Sequence, residues 1–507
     1  MFNNIFDVAK FGAVADGSTL DTAAIQAAIE ACTQAGGGTV YLGPGQYLSG
    51  TIRLKSNVRL YLEVGAELKG STQIDDYEEI PRPNPERHTH PYWFLLYAEN
   101  AQNISIEGRG TINGQGRAFW SDKMINDKVV GPLEKRPRSL IMFIDCQNLL
   151  FRDVTMRDSA CYTVWLIGCA EVNIDGLNII NPYDGPNTDA LDIDCCRNVR
   201  IVNCHIQAGD DCIAVKSDTK LLKDIRPCEN IVAENCTFSS SACAIRLGYE
   251  GDAPIRNCSF NNITIYDTDI GIDVVSIIPA AAYCVIEEGT PIEDIIFSNI
   301  VMRNVRRPIF IWLGNDTQNE LIGSVKNVLL SNIIAYAQNG SFIGGCAEKT
   351  IESVRLQNVK LTIEGNMDEP TPQRPNVWGR ARTPYALWCS EVDDLALNDI
   401  SIDWRSAQGQ WQHQIYCEKV ADLRMDGFDS RGFHTVSEQP SIRLSDVQQT
   451  FIRGSLAEKG TRTFLAVDGD TSESVTLLGN DLYHAQEAFV VEGNAEDVVW
   501  AQGNRLK

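Results

Sequence analysis

No part of the 507-residue chain approaches the roughly 18 uninterrupted apolar residues that a membrane-spanning helix requires. Met1 to Val8 likewise lacks the basic stretch followed by an apolar one that marks an export leader. The expectation is a soluble, cytoplasmic protein with no membrane partner. Basic residues are scarce: 44 Lys and Arg stand against 67 Asp and Glu, a formal net charge of −23. Such a surface repels nucleic acid and any long polyanion on average, and it also keeps a chain in solution. No Cys/His cluster with zinc spacing occurs, so neither a metal nor another cofactor is expected. The 16 cysteines do not form the framework of a short secreted domain. Most sit inside apolar strand patterns, as at Cys204, Cys212, Cys236, Cys243 and Cys258, and read as small buried thiols. Composition sets no oligomeric state.

What the chain has in quantity is one repeated phrase: an alternating apolar strand that begins at Asn or Asp, a turn, and a second short strand. It occurs at Asn103 to Gly108, Asn148 to Asp153, Val172 to Gly176, Asn198 to Asn203 and Asn230 to Asn235. Later copies lie at Asp294 to Asn299, Lys326 to Asn332, Val354 to Asn358, Asp394 to Asp399 and Asp422 to Gly427. Spacings of roughly 22 to 40 residues suit one coil of a solenoid, in which no coil buries its apolar face without neighbours. The prediction is an all-β chain, a single-stranded right-handed parallel β-helix with an asparagine ladder along one turn.

The N-terminus departs from the repeat. Asp21 is placed to cap a helix over Thr22 to Ala35, with Ala24, Ile25, Ala28, Ile29 and Cys32 on one face, ended by Gly36-Gly37-Gly38. Such a helix would cover the open end of the solenoid, where unpaired strand edges recruit other chains. The expected organisation is a cap with first coils over 1–70, a β-helix carrying a groove over 71–446, and further coils or a capping sheet over 447–507. Two stretches interrupt the coils, the Pro- and His-rich Glu79 to Trp93, and Asn366 to Pro384 with Pro370, Pro372, Pro375, Arg374, Arg380 and Arg382. Long interruptions leave a solenoid as surface loops, often beside a groove.

One segment breaks the core pattern with acids. Asn187-Thr188-Asp189-Ala190-Leu191-Asp192-Ile193-Asp194 is followed, about one coil later, by Gly209-Asp210-Asp211-Cys212. Asp192 and Asp194 alternate with Leu191 and Ile193 and so face away from the core. Stacked coils would bring carboxylates to about 4.8 Å, and that crowding raises the pKa of at least one acid. A protonated acid beside an ionised one is what glycosidic cleavage uses: one protonates the leaving oxygen while the other activates water. The same acids also suit a turn or a calcium site.

The run Asn187-Thr188-Asp189, Cys196-Arg197-Asn198-Val199 and Gly209-Asp210-Asp211-Cys212-Ile213-Ala214-Val215-Lys216-Ser217 resembles the core signature of the family 28 glycoside hydrolases, the polygalacturonase-like enzymes. The likeness begins at Phe6 to Gly17, passes through Gly108 to Gly114 and Arg136-Pro137-Arg138, and fades after about Ser276. It implies a pectin lyase-like β-helix that hydrolyses α-galacturonosyl links with inversion, Asp210 as general acid and Asp189 with Asp211 activating water. Asn187, Asp192 and Lys216 would line the sugar site. Two family features are replaced. Ala242, in Ser240-Ser241-Ala242-Cys243, stands where the resemblance expects a histidine, and Asp273 and Val275 stand where it expects the cations of Arg-Ile-Lys. A carboxylate in a cation's place repels a uronate. Arg246 shares a strand face with Ala242 and Ala244, from which it would reach the groove to pair with Asp273 or to hold an anionic substrate group.

The leading expectation is therefore a glycosidase with an oligosaccharide or polysaccharide as its partner, pectin-related but not plain polygalacturonate. The alternatives are a β-helix sugar transferase or lyase, and a non-catalytic carbohydrate-binding β-helix. Tyr92, Trp93, Trp120, Trp378 and Trp411 are candidate stacking platforms for sugar rings in either case, with core packing the alternative for several of them.

Overall fold

A coil of a parallel solenoid reverses its path within a residue or two, and the left-handed backbone region does this at least cost for Gly and Asn. The computed structural model describes residues 4–80, 92–218, 222, 224–278, 288–317, 319–368, 379, 382–433, 436–493 and 498–507. Asn57, Asn103, Asn148, Asn198, Asn230 and Asn257 all adopt positive φ between 54° and 65°. From Asn103 onward these turns also pass a hydrogen bond to the coil before. Asn103 Nδ2 donates to Asn57 Oδ1 at 2.7 Å, Asn148 to Asn103 at 2.7 Å, Asn230 to Asn198 at 2.8 Å and Asn257 to Asn230 at 3.2 Å. Glu171, at φ 57°, takes one rung of this ladder, its Oε1 accepting from Asn198 at 2.6 Å.

The chain folds into two units, Met1–Arg246 with Ala253–Cys258, and Leu247–Asp252 with Ser259–Lys507. Each consists of right-handed parallel β-helix coils. In the first, the repeat strands Gln102–Gly108, Gln147–Arg152, Ala170–Asp175 and Arg197–Val202 pair in parallel, Ile104, Leu149, Val172 and Val199 falling in register. In the second, Ser324–Ala337, Ile351–Ile363, Leu387–Asp403 and Ile415–Arg431 do the same, with Val328, Val354, Leu395 and Leu423 in line. Asn332 and Asn358 extend an asparagine ladder there, at 3.0 and 2.8 Å. These inward residues are almost fully buried, each worth about 1.5–3 kcal/mol of burial.

The N-terminal helix, α1 (Thr22–Gln34), packs on the first strands through Ile25, Ala28, Ile29 and Cys32. Asp21 sits at its N-cap without capping it: the carboxylate instead accepts from Val14 and Ala15 N–H at 2.7 and 3.0 Å. Among the described residues no cysteine is bridged, and no helix is long and apolar enough to cross a membrane. Burial pushes the Cys169 and Cys228 thiols well above their ordinary range, so they remain protonated.

Five strands of the first unit position the acidic segments: β1 (Ser139–Ile144), β2 (Tyr162–Ile167), β3 (Leu191–Asp194), β4 (Ile213–Ser217) and β5 (Cys243–Gly251), of which the residues to Arg246 belong to this unit. The outward positions Met142, Trp165, Asp192 and Ala214 are in register, as are Ile144, Ile167, Asp194 and Lys216. Over β1 and β2 this face is covered. Ile80 and Tyr92, joined by an antiparallel bridge, pack with Tyr97, Met142, Tyr162 and Trp165. Residues 81–91, most of the first interruption, lie outside the described residues, as do Pro370, Pro372, Pro375, Arg374 and Arg380 of the second.

Replacing Asn148 by Ala removes one ladder bond, at about 1 kcal/mol, and leaves in the left-handed region a residue without the short polar side chain that offsets part of its cost of about 1–2 kcal/mol there. The expected result is a lower urea midpoint for Asn148→Ala, with Asn148→Gly falling between it and the wild type. Equal midpoints for Ala and Gly would contradict the backbone part of this account.

Candidate active site

The parallel ladder continues through the turns that precede β3 and β4. Thr163 N–H donates to Asp189 O, and Ala190 N–H to Asp211 O, both at 2.8 Å. Asp189 and Asp211 thus occupy matching positions of successive coils, and Asp210 sits beside them. One oxygen from each of the three lies within 4.8 Å of the others, a spacing that suits one shared water. Thr188 fastens the two turns together, its Oγ1 accepting from Gly209 N–H at 3.1 Å. From the coil after, Ser240 Oγ donates to Asp210 O and Ser241 Oγ to Gly209 O.

Two cations enter this cluster. Lys216 Nζ is 2.7 Å from Asp192 Oδ1 and 3.8 Å from Asp189 Oδ2, and it stands 4.6 Å over the Tyr162 ring. Arg246 Nη1 is 3.1 Å from Asp211 Oδ2, whose other oxygen accepts from Cys243 N–H at 3.2 Å. Asp189, Asp192, Asp211 and Lys216 are all buried, and Asp210 is half-buried. Asp189 Oδ1 is buried and has no hydrogen-bond partner among the described residues.

Burial, then the charges of Asp192 and Asp210, pushes Asp189 well above the ordinary carboxylate range, against the pull of Lys216. Burial and then Asp211 push Asp210 up to about 7, while Arg246 and Lys216 draw it down. Near neutrality the cluster thus keeps protonated and ionised carboxyls within reach of one another, sharing protons as a group.

Seven of the eight residues singled out from sequence are gathered in the first unit. Asn187 lies exposed at φ 54°, its Oδ1 accepting from Arg136 Nη2 at 3.0 Å. Asp192 and Asp194 do face away from Leu191 and Ile193, yet both are buried. Asp194 accepts from Asp218 N–H at 2.7 Å. Asp273 belongs to the second unit and is buried there. It adds to the acidic field at Arg307, a fully buried residue that donates to Gly340 O at 2.6 Å and Gly379 O at 3.1 Å.

Sequence reasoning missed Tyr162, whose ring carries Lys216 on one contact and Arg138 at 4.6 Å on another. It also missed Ser240 and Ser241 as supports; their place beside Ala242, in the coil after Gly-Asp-Asp, was the available signal. The aromatic platforms require a correction. Tyr92, Trp93, Trp120 and Trp411 are only 2–6% exposed, so they are packing residues rather than surfaces for a sugar ring. Trp378 is outside the described residues.

Residues 32–376 match the sequence model of Glycosyl hydrolases family 28. The chain belongs to this family, a class of glycosidases. It is 29% identical over 308 residues to "Probable polygalacturonase" of Vitis vinifera, a match covering 58% of this chain and 60% of that protein. To "Polygalacturonase" of Gossypium hirsutum it is 28% identical over 343 residues, covering 65% and 77%. Its fold is also that of the family 28 exopolygalacturonase of Yersinia enterocolitica, with a TM-score of 0.64 at 21% identity over 83% of this chain and 78% of that one.

Lys216 and Asp192 form a buried ion pair, and removing one partner of such a pair costs about 3–5 kcal/mol. Lys216→Met is expected to lower the denaturation midpoint sharply at neutral pH, and adding Asp192→Leu to restore part of the loss. A double variant as unstable as the sum of two single ones would rule out this pairing.

Proposed function

We propose that this protein hydrolyses a glycosidic bond in a pectin-related oligosaccharide. Asp210 acts as general acid, Asp211 with Asp189 activates the water, and the sugar at the cleavage point is not a plain galacturonate. The observation that carries the reading is the cluster itself: three carboxyls with one oxygen of each within 4.8 Å of the others, one of them held near pKa 7 and next to an ion-paired neighbour. Water attacks the anomeric carbon as the bond to the leaving oxygen breaks. Asp210 gives its proton to that oxygen, and the water's proton passes to the ionised carboxylate. Asn187, Lys216 and the half-buried Arg246 border the space where the sugar would lie.

The substrate preference rests on charge. The two cations of the cluster, Lys216 and Arg246, are already paired with Asp192 and Asp211. Asp273 and Val275 stand where the family resemblance expects cations. A uronate carboxylate placed among the acids of the first unit would be repelled, whereas a neutral sugar would not. We further propose inversion, following the family resemblance. Inverting enzymes usually keep their two carboxyl groups about 6.5–9.5 Å apart and retaining ones about 5–5.5 Å, and the anomer of the first product discriminates between them. A retained anomer would instead make Asp189 or Asp211 a nucleophile.

The test is a reducing-end screen of wild type and Asp210→Asn against neutral and uronate-containing pectic oligosaccharides, with product anomers followed by NMR. Asp210→Asn is expected to lose about 10²–10⁴ in kcat. Because Asp210 must be protonated to donate, activity should fall as pH rises through about 7. Binding without turnover across the whole panel would instead identify a carbohydrate-binding β-helix.

A further inference from the structure

The outer face of the first unit changes character between two neighbouring coils. At β3 its outward positions carry acids, and one coil earlier the same heights carry apolar and aromatic side chains. Trp165 is the counterpart of Asp192 and Ile167 of Asp194, and two residues back from the Val164–Leu191 pair the same register sets Tyr162 against Asp189. Tyr162 borders the cluster itself, its ring 4.6 Å from Lys216 Nζ, which is 3.8 Å from Asp189 Oδ2.

None of these three positions is open to a ligand: Tyr162, Trp165 and Ile167 are at most 5% exposed. Tyr162 meets Trp165 edge to face at 5.2 Å, and Trp165 meets Tyr92 in the same way at 6.2 Å. Ile80 and Leu222 add to this cover, which extends over Met142 and Ile144 one coil earlier still. The Arg138 guanidinium lies on the same rings, 4.6 Å from Tyr162 and 5.9 Å from Trp165. In the opposite direction the cluster opens. Asp210 is half-buried, as are Ser241, Ala242 and Arg246 of the following coil. Cys212 N–H donates to Cys243 O at 2.9 Å and keeps these two coils stacked.

We propose that the site is a groove closed at one end: Tyr162 and Trp165 form its wall, so the enzyme removes a short unit from a chain terminus and does not cut within a chain. This rests on the hydrolase reading above and deepens it. Cleavage within a chain requires sugars on both sides of the broken link, with room for each side to continue. A saccharide that passes the acids toward β2 meets packed rings instead, and only a terminal segment fits before them. Steric exclusion of this kind selects one ligand shape over another without any new attraction. The chemistry is unchanged, water adding its hydroxyl to the anomeric carbon while the leaving oxygen gains a proton, but the link broken lies at a fixed distance from the chain end.

The test follows wild type by chromatography and viscometry on the best pectic oligosaccharide of the screen and on the polymer it comes from. A single short product of constant length is expected from the earliest time points, with polymer viscosity barely falling as reducing ends accumulate. Mixed product lengths at early times, with a collapse of viscosity, overturn the proposal.

A second readout does not depend on turnover. Asp210→Asn is titrated calorimetrically with oligosaccharides that carry a bulky aryl group on the reducing or on the non-reducing terminus. On the terminus that faces the wall the group should weaken binding by about tenfold or more, and on the other by about threefold at most. Equal effects of the two groups overturn the closed end whatever the activity. Binding sensitive to one terminus, with no substrate hydrolysed by wild type, fails the hydrolase reading and leaves the closed end standing. Neither hydrolysis nor binding of any oligosaccharide overturns both.

Discussion

Ala190 donates its amide to the carbonyl of Asp211 across 2.8 Å, one rung of a parallel ladder that holds successive coils about 4.8 Å apart. A residue and its counterpart one coil later cannot separate further than this ladder allows. In the core the constraint is favourable, because Val172 on Val199, or Leu395 on Leu423, excludes water along a continuous line. On the outer face it is a demand. Whatever polar group the sequence puts at a given height must tolerate a neighbour at close range, and the asparagine turns that keep the coils in phase make slippage costly.

Aspartates at matching heights are the place in the first unit where this demand is turned to use. Asp189, Asp210 and Asp211 each bring one oxygen within 4.8 Å of the others, and burial raises the cost of charge on Asp189 and Asp210. Lys216 pairs with Asp192 and Arg246 with Asp211, while Lys216 also draws on Asp189 and both cations on Asp210. The result is that Asp189 and Asp210 are held above the ordinary carboxylate range although they are ordinary side chains. The proposed acid role draws on that shift, and the stacking of coils creates it.

Much of this was legible in the residue order. The asparagine phrase predicted both the strands and the ladder, because only a turn with positive φ and a spare amide favours Asn so persistently. The spacing from Asp189 to Asp211 equals one coil, and that alone foretold the crowding. Asp21 misled for a physical reason: a carboxylate at a helix start can serve any nearby amide, and Val14 and Ala15 lay closer than the helix's own. The aromatic residues misled similarly, since Tyr92 and Trp93 flank a Pro-rich stretch yet turn inward to pack.

Repetition is a local property written every few tens of residues, so the sequence by itself determined the β-helix, the register of its apolar lines and the height at which the acids stand. Partnership is not local. Whether Arg246 meets Asp211, whether Lys216 prefers Asp192 to Asp189, and whether Tyr162 lies under that ammonium depend on side-chain directions and burial across coils well separated in sequence. Those choices were decided only by the tertiary structure, because electrostatic preference in a buried cluster turns on differences of about 1 Å, which no pattern of residue types encodes.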